Sequence, residues 1–210
     1  MGMGKELYEN HRVAKDVFDE VDETLNRKLS DIIFNGPDYE LTNTVNAQPA
    51  LMAVSIALVR VLEFESKNKF YKIADIVSGH SLGEYSALCS INSIKLKDTA
   101  KLLQIRGEAM HQSSIDLKTK MTAIIGMDCQ EVEKILSENC SEQICEIAND
   151  NCPGQLVISG HSKLVEEISL VCKQNGARLI IDLNVSAPFH CSLMNDVSLI
   201  MDNELKKFQI

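Results

Sequence analysis

The stretch IVSGHSLGEYSAL, at residues 76–88, constrains the fold of this chain most strongly. An apolar, β-branched run over Ile73–Ser78 precedes the sequence GHSLG, and helix-forming residues follow it. In that context the pattern G-x-S-x-G indicates a nucleophile elbow, a turn too tight for Cβ atoms at Gly79 and Gly83. We therefore predict a buried, parallel strand over Ile73–Ser78, a helix after the turn, and Ser81 raised at the carboxyl edge of a sheet. The alternative is a glycine-bracketed turn in which Ser81 only caps the helix.

The predicted turn points backbone N–H groups and the positive end of a helix at the serine. The N–H of Leu82 is the natural donor to a developing oxyanion there. A serine nucleophile also needs a base. His190 is the candidate, because it follows SAPF, a proline-stiffened loop that leads from the middle of the chain back to the first unit. The remaining histidines lie in the elbow itself or at helical and cap positions: His11, His80, His111 and His161.

Arg106 lies in the middle of a largely apolar helical segment, LLQIRGEAM. Such an arginine either snorkels or forms a structural ion pair, or it holds a substrate carboxylate with two hydrogen bonds. The residues alone leave both interpretations open.

The order of predicted elements indicates an α/β fold with two parts. The first third is helical, and Val13, Val17, Val21 and Leu25 recur every four residues near one helix face. The middle of the chain has the order strand, helix, strand, strand, helix, strand, which is the ferredoxin-like arrangement. We therefore expect a large subdomain at 1–115 and 186–210, with a ferredoxin-like small subdomain inserted at 116–185.

Charge and cysteine usage exclude some classes of function. The net charge of −9 argues against a nucleic acid partner, since phosphate binding needs a basic surface. The longest apolar stretch, at 49–62, is interrupted by Ser55 and Arg60 and is too short to span a bilayer. The seven cysteines include no CxxC pair, so we expect reduced thiols in a cytosolic protein, with a zinc site as the alternative.

Five motifs occur in order along the chain: NAQPAL, GHSLGEYSAL, RGEAM, PGQLVISG and VSAPFH. Together they closely resemble the malonyl-CoA:acyl carrier protein transacylases of type II fatty acid synthesis, over essentially the whole chain. The resemblance implies a hydrolase-like large subdomain with a parallel sheet and an inserted ferredoxin-like subdomain. It also implies a cytoplasmic bacterial enzyme, a monomer without bound cofactor or metal, whose substrate is a coenzyme A thioester.

The resemblance assigns roles to individual residues. Ser81 would take the malonyl group from malonyl-CoA and pass it to the phosphopantetheine thiol of acyl carrier protein, with His190 as the base in both steps. Arg106 would pair with the free malonyl carboxylate, Leu82 would supply an oxyanion-hole N–H, and Gln48 would line the pocket.

Docking of the carrier protein raises a charge problem, because carrier proteins are acidic and this chain is acidic too. We expect a local basic patch with Arg178, and with Lys163 or Lys173, on the small subdomain. Arg178 is favoured because it begins the strand that leads to His190.

Two segments of the family pattern are absent from this sequence: the first strand with its GQGSQ loop, and roughly the last third. We expect the chain as written to be a poor enzyme, and a truncated, inactive or carrier-binding-only paralogue is one alternative. The other alternative is a serine esterase or thioesterase of the α/β-hydrolase type, which would need an acidic residue between serine and histidine. Asp150 and Asp182 are the candidates, and their place in the inserted unit argues against this alternative.

Overall fold

In the computed structural model, which describes residues 1–139 and 143–208, the chain divides into two units. The first unit is Met1–Glu108 with the C-terminal part that begins at Met201, and the second unit is Ala109–Ile200. The described α-helices are α1 (Lys5–Asn10), α2 (Arg12–Leu25), α3 (Leu29–Asn35), α4 (Asp38–Thr42), α5 (Thr44–Ser66), α6 (Gly83–Ser90), α7 (Leu96–Gln112), α8 (Cys129–Asn139), α9 (Ser162–Gln174) and α10 (Asn195–Leu205). The described strands are β1 (Thr119–Ile125), β2 (Cys145–Cys152), β3 (Gln155–His161) and β4 (Leu179–Asp182).

Helices α2 and α5 form the centre of the first unit. Three of the apolar positions predicted on α2, Val17, Val21 and Leu25, are buried, so the predicted helix face is confirmed. Phe18 on the same helix lies with Tyr8 and Phe34 in an aromatic cluster with ring centroids 5.1–5.7 Å apart. These contacts join α1, α2 and α3 at the start of the chain.

Helix α5 is capped at its N-terminus by Asn43, whose side chain accepts a hydrogen bond from the Val45 N–H at 3.0 Å. Pro49 lacks the N–H that would bond to the Val45 carbonyl, and Arg27 supplies a donor to that carbonyl at 3.4 Å instead. At 23 residues, α5 is long and apolar enough to cross a membrane by length and composition alone. It is longer than the apolar stretch at 49–62 on which the prediction of a segment too short to span a bilayer rests. Its buried face nevertheless belongs to the core of the first unit.

The second unit contains one four-stranded sheet in the order β2-β3-β1-β4, and every neighbouring pair is antiparallel. Alternate residues of β1 face opposite sides: Ile124 packs in the cluster that α8 and α9 cover, and Ala123 faces the other side. This element order and strand order confirm the predicted ferredoxin-like subdomain.

The predicted strand over Ile73–Ser78 is wrong in this structure. The segment has no regular secondary structure after a short 3₁₀ turn at Phe70–Lys72, and the side chain of Ile76 is 86% exposed. A β-strand exists only by hydrogen bonding to a neighbouring strand, and no described segment pairs with these residues. All described strands lie in the second unit, so the parallel sheet expected around the elbow is not found among residues 1–139 and 143–208.

The small subdomain predicted at 116–185 stays a prediction. The second unit of the structure, Ala109–Ile200, has different bounds. Residues 186–200, which include His190, group with the second unit. The reason is packing: Phe189 lies against the open face of the sheet, formed by Met121, Ala123 and Val157.

Six described cysteines are not part of a disulfide: Cys89, Cys129, Cys145, Cys152, Cys172 and Cys191. Cys140 lies outside the described residues. Within the described part of the chain, no group of three or more histidine, cysteine or acidic side chains could hold a metal ion.

Candidate active site

The turn at Ser81 has the geometry of a nucleophile elbow. Ser81 has a φ of 54°, in the left-handed region that costs a residue with a Cβ about 1 kcal/mol or more. A Cβ on Gly79 would lie 1.9 Å from the carbonyl carbon and oxygen of Gly83, so glycine is required there. A Cβ on Gly83 would meet nothing within 4 Å, so the predicted clash at Gly83 is wrong. Gly83 contributes only its closely approaching backbone.

Helix α6 starts directly after the elbow. Leu82 is its N-cap. The Gly83 N–H donates to the His80 carbonyl at 2.9 Å, and the Glu84 N–H donates to the Ser81 carbonyl at 3.1 Å. The Leu82 N–H precedes these bonded amides at the positive end of the helix. Its role as the donor to an oxyanion at Ser81 stays a prediction.

Three of the predicted site residues meet in the first unit. Arg106 Nη2 donates a hydrogen bond to Ser81 Oγ at 3.1 Å, and Arg106 Nη1 donates to Gln48 Oε1 at 2.5 Å. Gln48 is 4% exposed, and its Nε2 donates to Thr44 Oγ1 at 2.8 Å, which orients its oxygen toward the arginine. The elbow, α5 and α7 thus bring the serine, the glutamine and the arginine together.

Gly107 lets α7 approach the start of α5 closely enough for this arrangement. A Cβ on Gly107 would lie 2.7 Å from the Thr44 carbonyl oxygen and 2.8 Å from Val45 Cα. Glycine inside a helix costs about 1 kcal/mol relative to alanine, and close packing of this kind explains its presence. Arg106, the preceding residue, is thereby carried to Gln48.

The Arg106 guanidinium lies in a setting suited to an anion. Burial lowers its pKa, while Tyr85 and Glu84 act in the opposite direction. The guanidinium carbon lies 5.9 Å from the centre of the Tyr85 ring, which is within cation–π distance. Among the described residues no carboxylate forms an ion pair with Arg106, and its hydrogen bonds to Gln48 and Ser81 go to neutral oxygens. A partly buried cation held by neutral groups is favourable to a carboxylate that enters the site.

His190 and Arg178 lie in the second unit. His190 is exposed and has a φ of 59°, so it too adopts the left-handed conformation. It stands between Phe189, which packs on the sheet, and the buried Cys191, whose thiol donates to the Pro188 carbonyl at 3.2 Å. Arg178 is exposed and directly precedes β4.

The two lysines of the predicted basic patch already have partners. Lys173 Nζ donates to the carbonyls of Ala177 at 3.1 Å and Arg178 at 2.8 Å, and Lys163 lies 4.0 Å from a carboxylate oxygen of Glu167. Of the three basic residues, Arg178 is the one whose side chain has neither an ion pair nor a hydrogen bond among the described residues.

The acidic residue needed by the esterase alternative is engaged elsewhere. Asp182 accepts hydrogen bonds from Thr122 at 3.0 Å and Lys120 at 2.9 Å, and these bonds hold its pKa below the ordinary value. Asp150 is exposed on β2. Asp182 therefore serves a surface network on the sheet.

Sequence reasoning missed three residues of functional interest: Tyr85, Gly107 and Glu146. Gly107 could have been noticed as a glycine inside a predicted helix. Tyr85 lies four residues after Ser81 in the elbow helix, but its contact with Arg106 depends on packing between helices. Glu146 accepts both hydrogen bonds of Ser192, 46 residues further along the chain, and no local pattern announces that contact.

Comparison with known proteins places this chain in a family. The acyl transferase domain family matches the chain over residues 1–210. The chain is 46% identical over 195 residues to the malonyl CoA-acyl carrier protein transacylase of Bacillus subtilis, an alignment that covers 92% of this chain. Among solved structures, the acyl-carrier-protein-S-malonyltransferase of Bartonella henselae superposes with a TM-score of 0.90 at 50% identity, over 100% of this chain. These neighbours confirm the predicted α/β fold class.

A further structural neighbour is a malonyl-transacylase in complex with its type II PKS acyl-carrier protein, with a TM-score of 0.93 at 34% identity over 100% of this chain. The chain spans 60% of the length of the Bacillus relative and 66% of each of these two solved chains.

Proposed function

Because the chain belongs to the acyl transferase domain family, we propose that it moves a malonyl group from coenzyme A to the phosphopantetheine thiol of acyl carrier protein, as a step of fatty acid biosynthesis. The observation that carries the proposal is the position of Arg106, whose guanidinium donates to Ser81 Oγ at 3.1 Å. A malonyl group on Ser81 would carry its free carboxylate only one methylene beyond the ester carbonyl. The guanidinium thus lies where a short dicarboxylic acyl group would end.

The reaction proceeds in two halves through an acyl-enzyme. In the first half, Ser81 Oγ attacks the thioester carbonyl of malonyl-CoA while His190 accepts the hydroxyl proton. The Leu82 N–H stabilises the oxyanion of the tetrahedral intermediate. The carbon–sulfur bond then breaks, and coenzyme A leaves with the proton from His190.

In the second half the same groups act on the malonyl ester of Ser81. His190 takes the proton of the phosphopantetheine thiol, and the sulfur attacks the ester carbonyl. The ester bond breaks, and Ser81 recovers its proton from His190. The exchange of one thiol for another needs no oxidant, metal or further cofactor.

Arg106 and Gln48 select the acyl group in this proposal. The Arg106 guanidinium can leave the Ser81 hydroxyl for the stronger, charge-assisted pair with a carboxylate. Gln48 keeps the guanidinium in place during the exchange through its 2.5 Å hydrogen bond. An acetyl group offers no carboxylate, so it leaves this cation without an anionic partner.

Carrier docking is assigned to the exposed Arg178, and the complex of a related malonyl-transacylase with its carrier protein supports a carrier protein as the partner. A rim arginine chiefly changes the association rate and its salt dependence. Arg178→Glu is therefore expected to raise the KM for carrier protein at low salt and to leave malonyl-CoA loading unchanged. We place the protein in the cytoplasm as a monomer, without a membrane or nucleic acid partner.

The decisive experiment is mass spectrometry of the protein after incubation with malonyl-CoA. We expect one covalent malonyl group, mapped to Ser81 by peptide analysis, and its loss when phosphopantetheinylated carrier protein is added. Ser81→Ala should carry no adduct, and His190→Ala should form it about 10²–10⁴-fold more slowly. Release of free malonate at the rate of adduct loss, without malonyl-carrier, would instead identify a thioesterase. An undiminished adduct in Ser81→Ala would refute the proposed nucleophile.

A further inference from the structure

The backbone at His190 needs support from its surroundings. Its φ of 59° lies in the left-handed region, which a residue with a Cβ adopts only where neighbouring contacts impose it. His190 itself lies on the surface, so its own side chain is not buried in a core that could impose the conformation. The conformation therefore depends on the contacts of the residues before and after His190.

On the N-terminal side the support is apolar. Phe189 packs against Met121, Ala123 and Val157 on the open face of the sheet, and Pro188 is buried. The Cys191 thiol closes the turn by donating to the Pro188 carbonyl at 3.2 Å. These contacts fix the backbone on the N-terminal side of the histidine.

On the C-terminal side a carboxylate holds the chain. Glu146 Oε2 accepts the Ser192 N–H at 2.7 Å, and Glu146 Oε1 accepts the Ser192 hydroxyl at 2.6 Å. Both oxygens are thus used on one residue, in short hydrogen bonds of the charge-assisted kind. Glu146 lies on β2, an edge strand, where it pairs with Ser159 of β3, so the carboxylate is anchored to a regular element.

We propose that Glu146 is a positioning residue for His190. Its carboxylate fixes Ser192, two residues after the histidine, and so maintains the left-handed backbone that directs the imidazole. The inference rests on the proposed function, in which His190 is the base. The competing interpretation is a purely structural one, in which Glu146 only caps the 3₁₀ turn at Ser192–Met194 and the helix that follows.

The test compares five variants of the same chain: Glu146→Ala, Glu146→Gln, Ser192→Ala, the double variant that combines Glu146→Ala with Ser192→Ala, and the control Glu166→Gln. Glu166 lies in the same unit and accepts a hydrogen bond from Lys120 at 3.0 Å, away from the histidine loop. The control removes the same charge by the same substitution, so it measures the general effect of a lost carboxylate.

We expect Glu146→Ala to lower the kcat for malonyl loading of Ser81 about 10- to 100-fold relative to the wild type. This is the usual cost of a displaced catalytic group. The KM for malonyl-CoA should stay the same, because the residues proposed to bind the malonyl group, Gln48 and Arg106, belong to the first unit and Glu146 belongs to the second. Glu146→Gln should retain part of the rate, since its amide oxygen still accepts one bond. Adding Ser192→Ala to Glu146→Ala should cause little further loss, because the hydroxyl hydrogen bond that Ser192→Ala removes is already lost with the carboxylate.

A second readout does not depend on activity. The ¹³Cα and ¹³Cβ chemical shifts of His190 report its backbone conformation, and we expect them to leave the left-handed range in Glu146→Ala but not in Glu166→Gln. If the wild-type chain loads no malonyl group, the proposed function fails, while these shifts still decide the role of Glu146. Glu146→Ala with unchanged His190 shifts would overturn the inference, and so would equal losses of kcat in Glu146→Gln and Glu166→Gln. Should Glu146→Ala fail to fold, the same shifts in Ser192→Ala and Glu146→Gln decide the question.

Discussion

Replacement of Gly79 by alanine tests the elbow that holds Ser81. The new Cβ would lie 1.9 Å from the carbonyl carbon and oxygen of Gly83 and 2.4 Å from the amide nitrogen of Glu84. All three are backbone atoms, so no side chain can turn aside to make room. An ordinary contact between carbon atoms is about 3.5 Å, so the backbone would have to separate by roughly 1.6 Å.

That separation sets the expected size of the effect. Forcing a methyl group into a packed site costs about 1–3 kcal/mol, which corresponds to a fall in Tm of about 2–12 °C for a chain of this length. A displacement of the nucleophile by about 1 Å already costs about 100-fold in rate. We therefore expect Gly79→Ala to load malonyl groups at least about 100-fold more slowly, even under conditions in which it remains folded.

Gly83→Ala is the matched control, because its Cβ would meet nothing within 4 Å and its φ lies outside the left-handed region. It should leave Tm unchanged, or raise it slightly by restricting the unfolded chain. Thermal unfolding and single-turnover mass spectrometry of Ser81 measure both quantities. Equal loss of Tm and loading rate in the two variants would refute the packing argument, as would wild-type behaviour of Gly79→Ala.

Two further predictions follow from titrating groups. Burial alone would raise the pKa of Glu63, but the Phe70 N–H and Arg60 outweigh it and lower that pKa below the ordinary 4.5. The ionised Glu63 carboxylate therefore stabilises the folded chain fully above pH 4.5, and this contribution is lost as the pH falls. The difference in Tm between the wild type and Glu63→Gln should accordingly become smaller in acid. A difference in Tm that does not change with pH would contradict this prediction. Burial raises the pKa of Cys172 to about 11, so iodoacetamide at pH 8 should alkylate the exposed Cys152 and spare Cys172 until the chain unfolds. Equal alkylation rates in the native protein would contradict that prediction.

Local sequence patterns predicted the elements whose formation depends on nearby residues. The four-residue rhythm of α2 gave its buried face, and the alternation of strands and helices gave the ferredoxin-like unit. The helix after the elbow also begins where the glycines and the helix-forming residues that follow indicated. In each case, hydrogen bonding within a helix or between strands of one small sheet is enough to form the element.

The strand predicted over Ile73–Ser78 failed because a strand depends on a partner that its own residues do not specify. The contacts of the site are equally non-local. Arg106 and Gln48 are 58 residues apart in sequence, and their hydrogen bond depends on the close approach of α7 and α5 at Gly107. Sequence therefore predicted which residues carry the chemistry, while the structure shows that Arg106 contacts both Gln48 and Ser81.

The most direct test of the proposed function is competition between malonyl-CoA and acetyl-CoA for Ser81, in the wild type and in Arg106→Ala. A carboxylate on Arg106 would form two charge-assisted hydrogen bonds of at least about 1.5 kcal/mol each, and 1.36 kcal/mol is a factor of ten, so malonyl loading should fall at least about 100-fold. Acetyl loading should stay the same or rise, because the acetyl group has no carboxylate for the arginine to bind. If both acyl groups are lost by the same factor, Arg106 is a structural residue and the assignment of malonyl selectivity to it is wrong.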